Sequence, residues 1–155
     1  MANVLLVDDD PENLWSLQIA LESHGHRVSV ADNAQRAMDI LRRHTIEILI
    51  TDYEMPDIDG AQLSCWVRAH PARNEMPVLM LSAAPEPLRG AQCWNRFLRK
   101  PVSLGDLIEA IDAHVAIRLT AARAHYSSGA SVSSALRYLC PAASRLPAVH
   151  SGCWP

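Results

Sequence analysis

The sequence has no apolar run approaching the length that crosses a bilayer. Its first apolar stretch, Val4 to Val7, is too short for a secretory signal and runs straight into Asp8. A cytoplasmic location with no membrane partner is therefore expected. The four cysteines, Cys65, Cys93, Cys140 and Cys153, form no CxxC pair and have no His at zinc spacing. That pattern favours reduced thiols over disulfides or a zinc site. There is no basic excess: the formal net charge is -3, which argues against direct binding of nucleic acid. Past residue 118 there is no acidic residue, no helix-turn-helix, no basic helix and no catalytic motif.

What is present fits one soluble domain and a tail. A chain of 155 residues, 49% hydrophobic and 20% charged, can bury a sizeable core without staples. Residues 1–118 hold all 17 acids and 11 of the 14 Lys and Arg, so they carry about -6, and residues 119–155 carry about +3. The boundary expected is a folded domain over 1–118. An Ala/Ser/Pro-rich tail over 119–155 should be disordered or loosely docked, with room for one short helix around Val132, Leu136 and Leu139.

Along the domain, apolar runs alternate with amphipathic stretches. Strands are expected at 3–7, 28–31, 46–51, 78–82 and 96–98. Asp10 suits an N-cap and Pro11 a first helical position, with Leu14, Leu17 and Leu21 as one stripe and Gly25 as the stop. A second helix spans 33–43, and a third is capped by Asp59. Ser103 caps a last one, with Asp106 at the reciprocal position. Pro85 and Pro87 leave space only for a short fourth helix between Leu88 and Trp94. Five strands alternating with five helices predict an α/β, doubly wound, five-stranded parallel sheet in the order 2-1-3-4-5, with helices on both faces.

Polar residues stand where these strands end. Asp8, Asp9 and Asp10 follow the first, Asp52 the third, Ser82 the fourth and Lys100 the fifth. In an open parallel sheet the carboxyl ends share one rim, and ligands bind there. Carboxylates, a hydroxyl and an ammonium converging on it suit Mg²⁺ and a phosphoryl group. Asp9 and Asp52 are the expected direct metal ligands, with Asp8 acting through water and the Glu54 backbone carbonyl as a further ligand. Asp52 is the expected nucleophile, because a carboxylate can accept a phosphoryl group as an acyl phosphate. Lys100, the Ser82 hydroxyl and the Ala83 backbone N–H are expected to hold the phosphoryl oxygens. A histidine on a partner is the expected donor.

Asp8-Asp9, the stretch from Asp52 through Met55-Pro56 to Asp59-Gly60, Ser82-Ala83 and Lys100-Pro101 together resemble the receiver (CheY-like) domain of two-component response regulators, over residues 3 to about 118. The resemblance implies a flavodoxin-like fold. It implies phosphoryl transfer to Asp52 from a histidine kinase or histidine phosphotransfer protein, and a shift of the partner-binding face toward a downstream protein. It also implies that Phe97, three residues before the lysine, changes rotamer with Ser82. Glu54 and Ala84 fall where the family tunes dephosphorylation. The segment between Ser82 and Lys100 is about one helical turn shorter than the family pattern.

Two rival readings use the same residues. A haloacid-dehalogenase-like phosphatase would take Asp8 as nucleophile, but it needs a later acidic pair that Asp106 and Asp112, on a helix, do not supply. A degenerate receiver that acts only by binding partners would not need the whole constellation. The expectation is thus a phosphoacceptor regulator rather than an enzyme, catalysing at most its own phosphorylation and dephosphorylation.

Overall fold

The computed structural model describes residues 1–87 and 92–128. Its elements run β1 (Asn3–Val7), α1 (Pro11–Ser23), β2 (Arg27–Ala31), α2 (Ala34–Arg43), β3 (Ile48–Asp52), α3 (Gly60–Ala69), β4 (Val78–Ser82), β5 (Arg96–Arg99) and α4 (Leu104–Ser128). All strand pairs are parallel and the order is β2-β1-β3-β4-β5. This is the expected doubly wound sheet. The chain divides into two units, Met1–Arg118 and Leu119–Pro155.

Alternation along the strands builds the two faces. Leu5, Val7, Leu49 and Val78 pack with Ala37, Met38 and Leu41 of α2 and with Leu63 and Val67 of α3. Val4, Leu6, Ile48, Ile50, Leu79 and Leu81 pack with Leu14 and Leu21 of α1 and with Leu107, Ala110 and Ile111 of α4. Each side chain that is fully removed from water contributes about 1.5–3 kcal/mol before entropy is counted. β3 and β4 are buried throughout, as strands covered on both faces should be. β5, at the edge, is half-exposed.

The caps expected from sequence are in place. Glu12 N–H donates to Asp10 Oδ1 at 2.9 Å. Asp59 and Gln62 form a reciprocal capping box. Asp106 N–H donates to Ser103 Oγ at 3.1 Å. Gly25 adopts φ +82, the left-handed turn that ends α1.

Several readings need correction. β3 starts at Ile48, not at Ile46, and continues through Asp52. Trp15, although large and apolar, is 67% exposed beside exposed Ile19. The stripe of α1 runs through Leu14, Leu17 and Leu21, so the position next to Leu14 points away from it. Cys65 of α3 and Cys93 ahead of β5 are joined as a disulfide with Cα atoms 5.1 Å apart. Free thiols were expected because a separation of 28 residues carries no spatial signal in sequence. Cys140 and Cys153 lie outside the described residues. Of the short helix expected between Leu88 and Trp94, residues 88–91 lie outside the described residues, and residues 92–94 are not helical. α4 runs on to Ser128, and the helical turn considered around Val132 to Leu139 lies outside the described residues. Among the described residues, no helix is long and apolar enough to cross a membrane.

Candidate functional site

The site lies where β1, β3, β4 and β5 end. Register places it: Val7 pairs with Thr51, Asp52 with Leu81, and Ser82 with Arg99. The residues that follow each rung therefore meet on one rim. Asp8 is 1% exposed and Asp52 6%, whereas Asp9 faces solvent. One carboxylate oxygen from each of the three lies within 4.8 Å of the others.

Lys100 is the only lysine in the chain. Its Nζ lies 3.0 Å from Asp8 Oδ2 and 3.1 Å from Asp52 Oδ1. Its backbone N–H donates to Ser82 O at 2.7 Å, tying the lysine to the end of β4. The Lys100–Pro101 peptide bond is cis.

Other donors fix both carboxylates. Asp8 Oδ1 accepts from the Asp10 N–H at 2.9 Å. Asp52 Oδ1 accepts from the Tyr53 N–H at 2.9 Å. Burial pushes the Asp52 carboxyl above its ordinary value of 3.8, against the hydrogen bond and charge of Lys100, and the nearby Asp8 carboxylate adds to the rise. Burial works to lower the Lys100 ammonium, but its hydrogen bonds to Asp8 and Asp52, and their charges, outweigh that and hold it above 10.5. The Asp52 carboxyl thus stays elevated even with the lysine in place.

Gly60 is a supporting residue whose role the sequence did not reveal. A Cβ there would stand 2.1 Å from the Asp52 backbone oxygen and 2.9 Å from Met80 Sδ. The start of α3 presses directly on the end of β3, and its N–H donates to Tyr53 O at 3.0 Å. Only a residue without a side chain allows this approach. Gly after an N-cap Asp is the available signal, but it reads equally well as an ordinary helix start.

The remaining expected site residues fall around this centre. Ser82 is fully buried and its Oγ accepts from the Ala84 N–H at 3.0 Å. Ala83 and Glu54 are exposed just beyond β4 and β3. Phe97, paired in register with Met80, is half-buried. Its ring sits 6.5 Å from Tyr53 and 6.2 Å from Trp94, and Tyr53 and Trp94 are 6.3 Å apart. Phe97 therefore packs beside the residue that follows Asp52. The structure brings Asp8, Asp9, Asp52 and Lys100 together, and it makes Asp8 a direct partner of the lysine.

Residues 4–112 match the family model described as the response regulator receiver domain. The chain belongs to this family. The receiver is 36% identical over 116 residues to an uncharacterized 14.6 kDa protein in the sodA1 3′ region of Leptolyngbya boryana, covering 72% of this chain and 88% of that one. It is 35% identical over 115 residues to the transcriptional regulatory protein GlrR of Escherichia coli K12, covering 72% of this chain but 26% of that regulator. A solved response regulator receiver protein from Pseudomonas putida is 30% identical, with a TM-score of 0.66, covering 72% of this chain and 96% of that one. Receiver domains of this kind belong to two-component signalling systems and act in general as regulators rather than enzymes.

Proposed function

We propose that this receiver is a phosphoacceptor switch of a two-component system or phosphorelay, in which Asp52 takes a phosphoryl group from a histidine of a histidine kinase or phosphotransfer protein. The observation that carries the reading is the ammonium of Lys100 held 3.0 and 3.1 Å from Asp8 and Asp52, with Asp9 closing the acidic group.

In the transfer, an Asp52 carboxylate oxygen bonds to phosphorus as the bond from phosphorus to the donor histidine nitrogen breaks. The imidazole nitrogen keeps that electron pair. Little acid–base chemistry is asked of the receiver, so positioning and charge dominate. Lys100 exchanges one of its carboxylate contacts for a phosphoryl oxygen. Ser82 can turn its hydroxyl hydrogen toward another, and the Ala83 N–H extends from the same strand end.

Asp8, Asp9 and Asp52 offer hard oxygen donors of the kind Mg²⁺ takes, and the elevated Asp52 carboxyl marks a place where added positive charge is favourable. Asp9 and Asp52 would hold the ion, with Asp8 and the Glu54 carbonyl beside it. Bound there, the ion would supply charge neutralisation to the transferring group.

Phosphorylation would then shift Ser82 and Phe97, and with them the face offered to a downstream protein. We place the protein in the cytoplasm, assign it no nucleic acid partner, and infer no catalysis beyond gain and loss of its own phosphoryl group. A phosphatase with Asp8 as nucleophile fits less well. Asp8 has one oxygen on the Asp10 N–H and the other on Lys100, in a nearly sealed position.

The test is intact mass after incubation with Mg²⁺ and acetyl phosphate. One added phosphoryl group is expected, absent in Asp52→Asn. Uptake that survives in Asp52→Asn, or multiple turnover of a phosphate ester that depends on Asp8, would overturn the assignment.

A further inference from the structure

Cys65 and Cys93 lie on different kinds of element. Cys65 is in the middle of α3, where Leu63, Ser64 and Val67 are buried and anchor the helix to the sheet. Cys93 is in the non-helical stretch that leads into β5, the edge strand. Their Cα atoms are 5.1 Å apart, inside the span a disulfide needs. Both residues are partly exposed, so a small thiol or disulfide can reach them.

The same stretch is held otherwise by side chains from several directions. Asn95 Oδ1 accepts from the Val78 N–H at 2.8 Å and from Arg68 Nη2 at 2.5 Å. Arg68 stands one turn along α3 from Cys65, on the same side of the helix. Trp94 Nε1 donates to Glu86 Oε1 at 2.9 Å, and its ring meets Tyr53 and Phe97. A bond at Cys93 therefore acts on the residue just before this aromatic group.

We propose that Cys65 and Cys93 are a reversible dithiol–disulfide site, closed by exchange with a small-molecule disulfide, and that closing it fixes the chain ahead of β5 to α3. In the first step one cysteine sulfur attacks a sulfur of the small disulfide and releases one small thiol, which takes up the proton. In the second step the other cysteine attacks the protein-bound sulfur and expels the second small thiol. The protein pair loses two hydrogens and two electrons, and the small disulfide gains them. Excess small thiol runs the steps backward. This site needs no phosphoryl group, so it stands apart from the assignment of Asp52.

The test uses the full chain with Cys140→Ser and Cys153→Ser, equilibrated in glutathione buffers from fully reduced to fully oxidised. Expected is a species lighter by two hydrogens and free of glutathione, reopened by excess reduced glutathione. Amide exchange over residues 92–99 should be slower by about threefold or more in the closed form. In Cys93→Ser a glutathione adduct should persist on Cys65, and exchange over 92–99 should be the same in all buffers. Persistent adducts on the intact pair, closure that excess thiol does not reverse, or equal exchange in the two forms would each overturn the proposal.

Discussion

At the carboxyl ends of the strands two buried carboxylates share one ammonium, while at the amino ends His26 is buried with its Nδ1 unpartnered among the described residues. The two ends of the sheet also respond to protons in opposite directions. Burial raises Asp52, so its proton is held more tightly in the folded state. Its contribution to stability is present below 3.8 and is lost as pH rises through its elevated value. Burial and the nearby chain N-terminus lower His26, against the pull of Asp112, and burial with Arg96 lowers His114. Their contribution is present above 6.5 and is lost as pH falls below it. The carboxyl end is thus built to welcome positive charge near neutrality, and the amino end is built to stay neutral. The first arrangement costs stability and suits a site, whereas the second is the ordinary behaviour of a buried imidazole.

The contrast can be broken at its strongest point by Gly60→Ala. The added carbon would collide with the Asp52 backbone, and a loss of about 3 kcal/mol or more is expected in denaturant unfolding, together with loss of phosphoryl uptake. An unchanged midpoint would mean that α3 does not press on β3 in solution.

Saturating Mg²⁺ tests the acidic group directly. At a hundredfold excess over its dissociation constant it should add about 2.7 kcal/mol, removable by chelation and diminished in Asp52→Asn. No shift of the thermal midpoint would remove the cation from the account.

Lys100→Met leaves Asp8 and Asp52 without their shared partner. A loss of about 2 kcal/mol is expected in chelator, reduced because the lysine is partly exposed. A more stable variant would show that the lysine serves chemistry at no structural gain.

The smallest effect is at the other end. His26→Gln should flatten the fall in unfolding free energy between about pH 7.5 and about pH 5.5 by a few tenths of a kcal/mol. An unaltered slope would assign that fall to His114.

Much of the domain was legible because two periodicities were clean. Short apolar runs ended in polar residues, and caps such as Asp10, Asp59 and Ser103 stood where helices began. Asp8, Asp9, Asp52 and Lys100 were legible together because parallel strands put their ends on one rim. The Asp8 contact with Lys100 was not legible, since a pairing of residues 92 apart depends on where β5 sits. The exposure of Trp15 follows from the helical phase set by Leu14 and Leu21 and not from its bulk or apolarity. The Cys65–Cys93 pair was misread because spacing rules concern neighbours in sequence and not a helix and a strand entrance that fold together.

Chain chemistry alone determined the elements, their alternation and the strand-end polar residues, because local sterics and hydrophobic period act within a few residues. Tertiary structure alone decided which carboxylates share the ammonium, why residue 60 has no side chain, and which cysteines meet. Those depend on distances across the sheet, set by the packing of both faces at once.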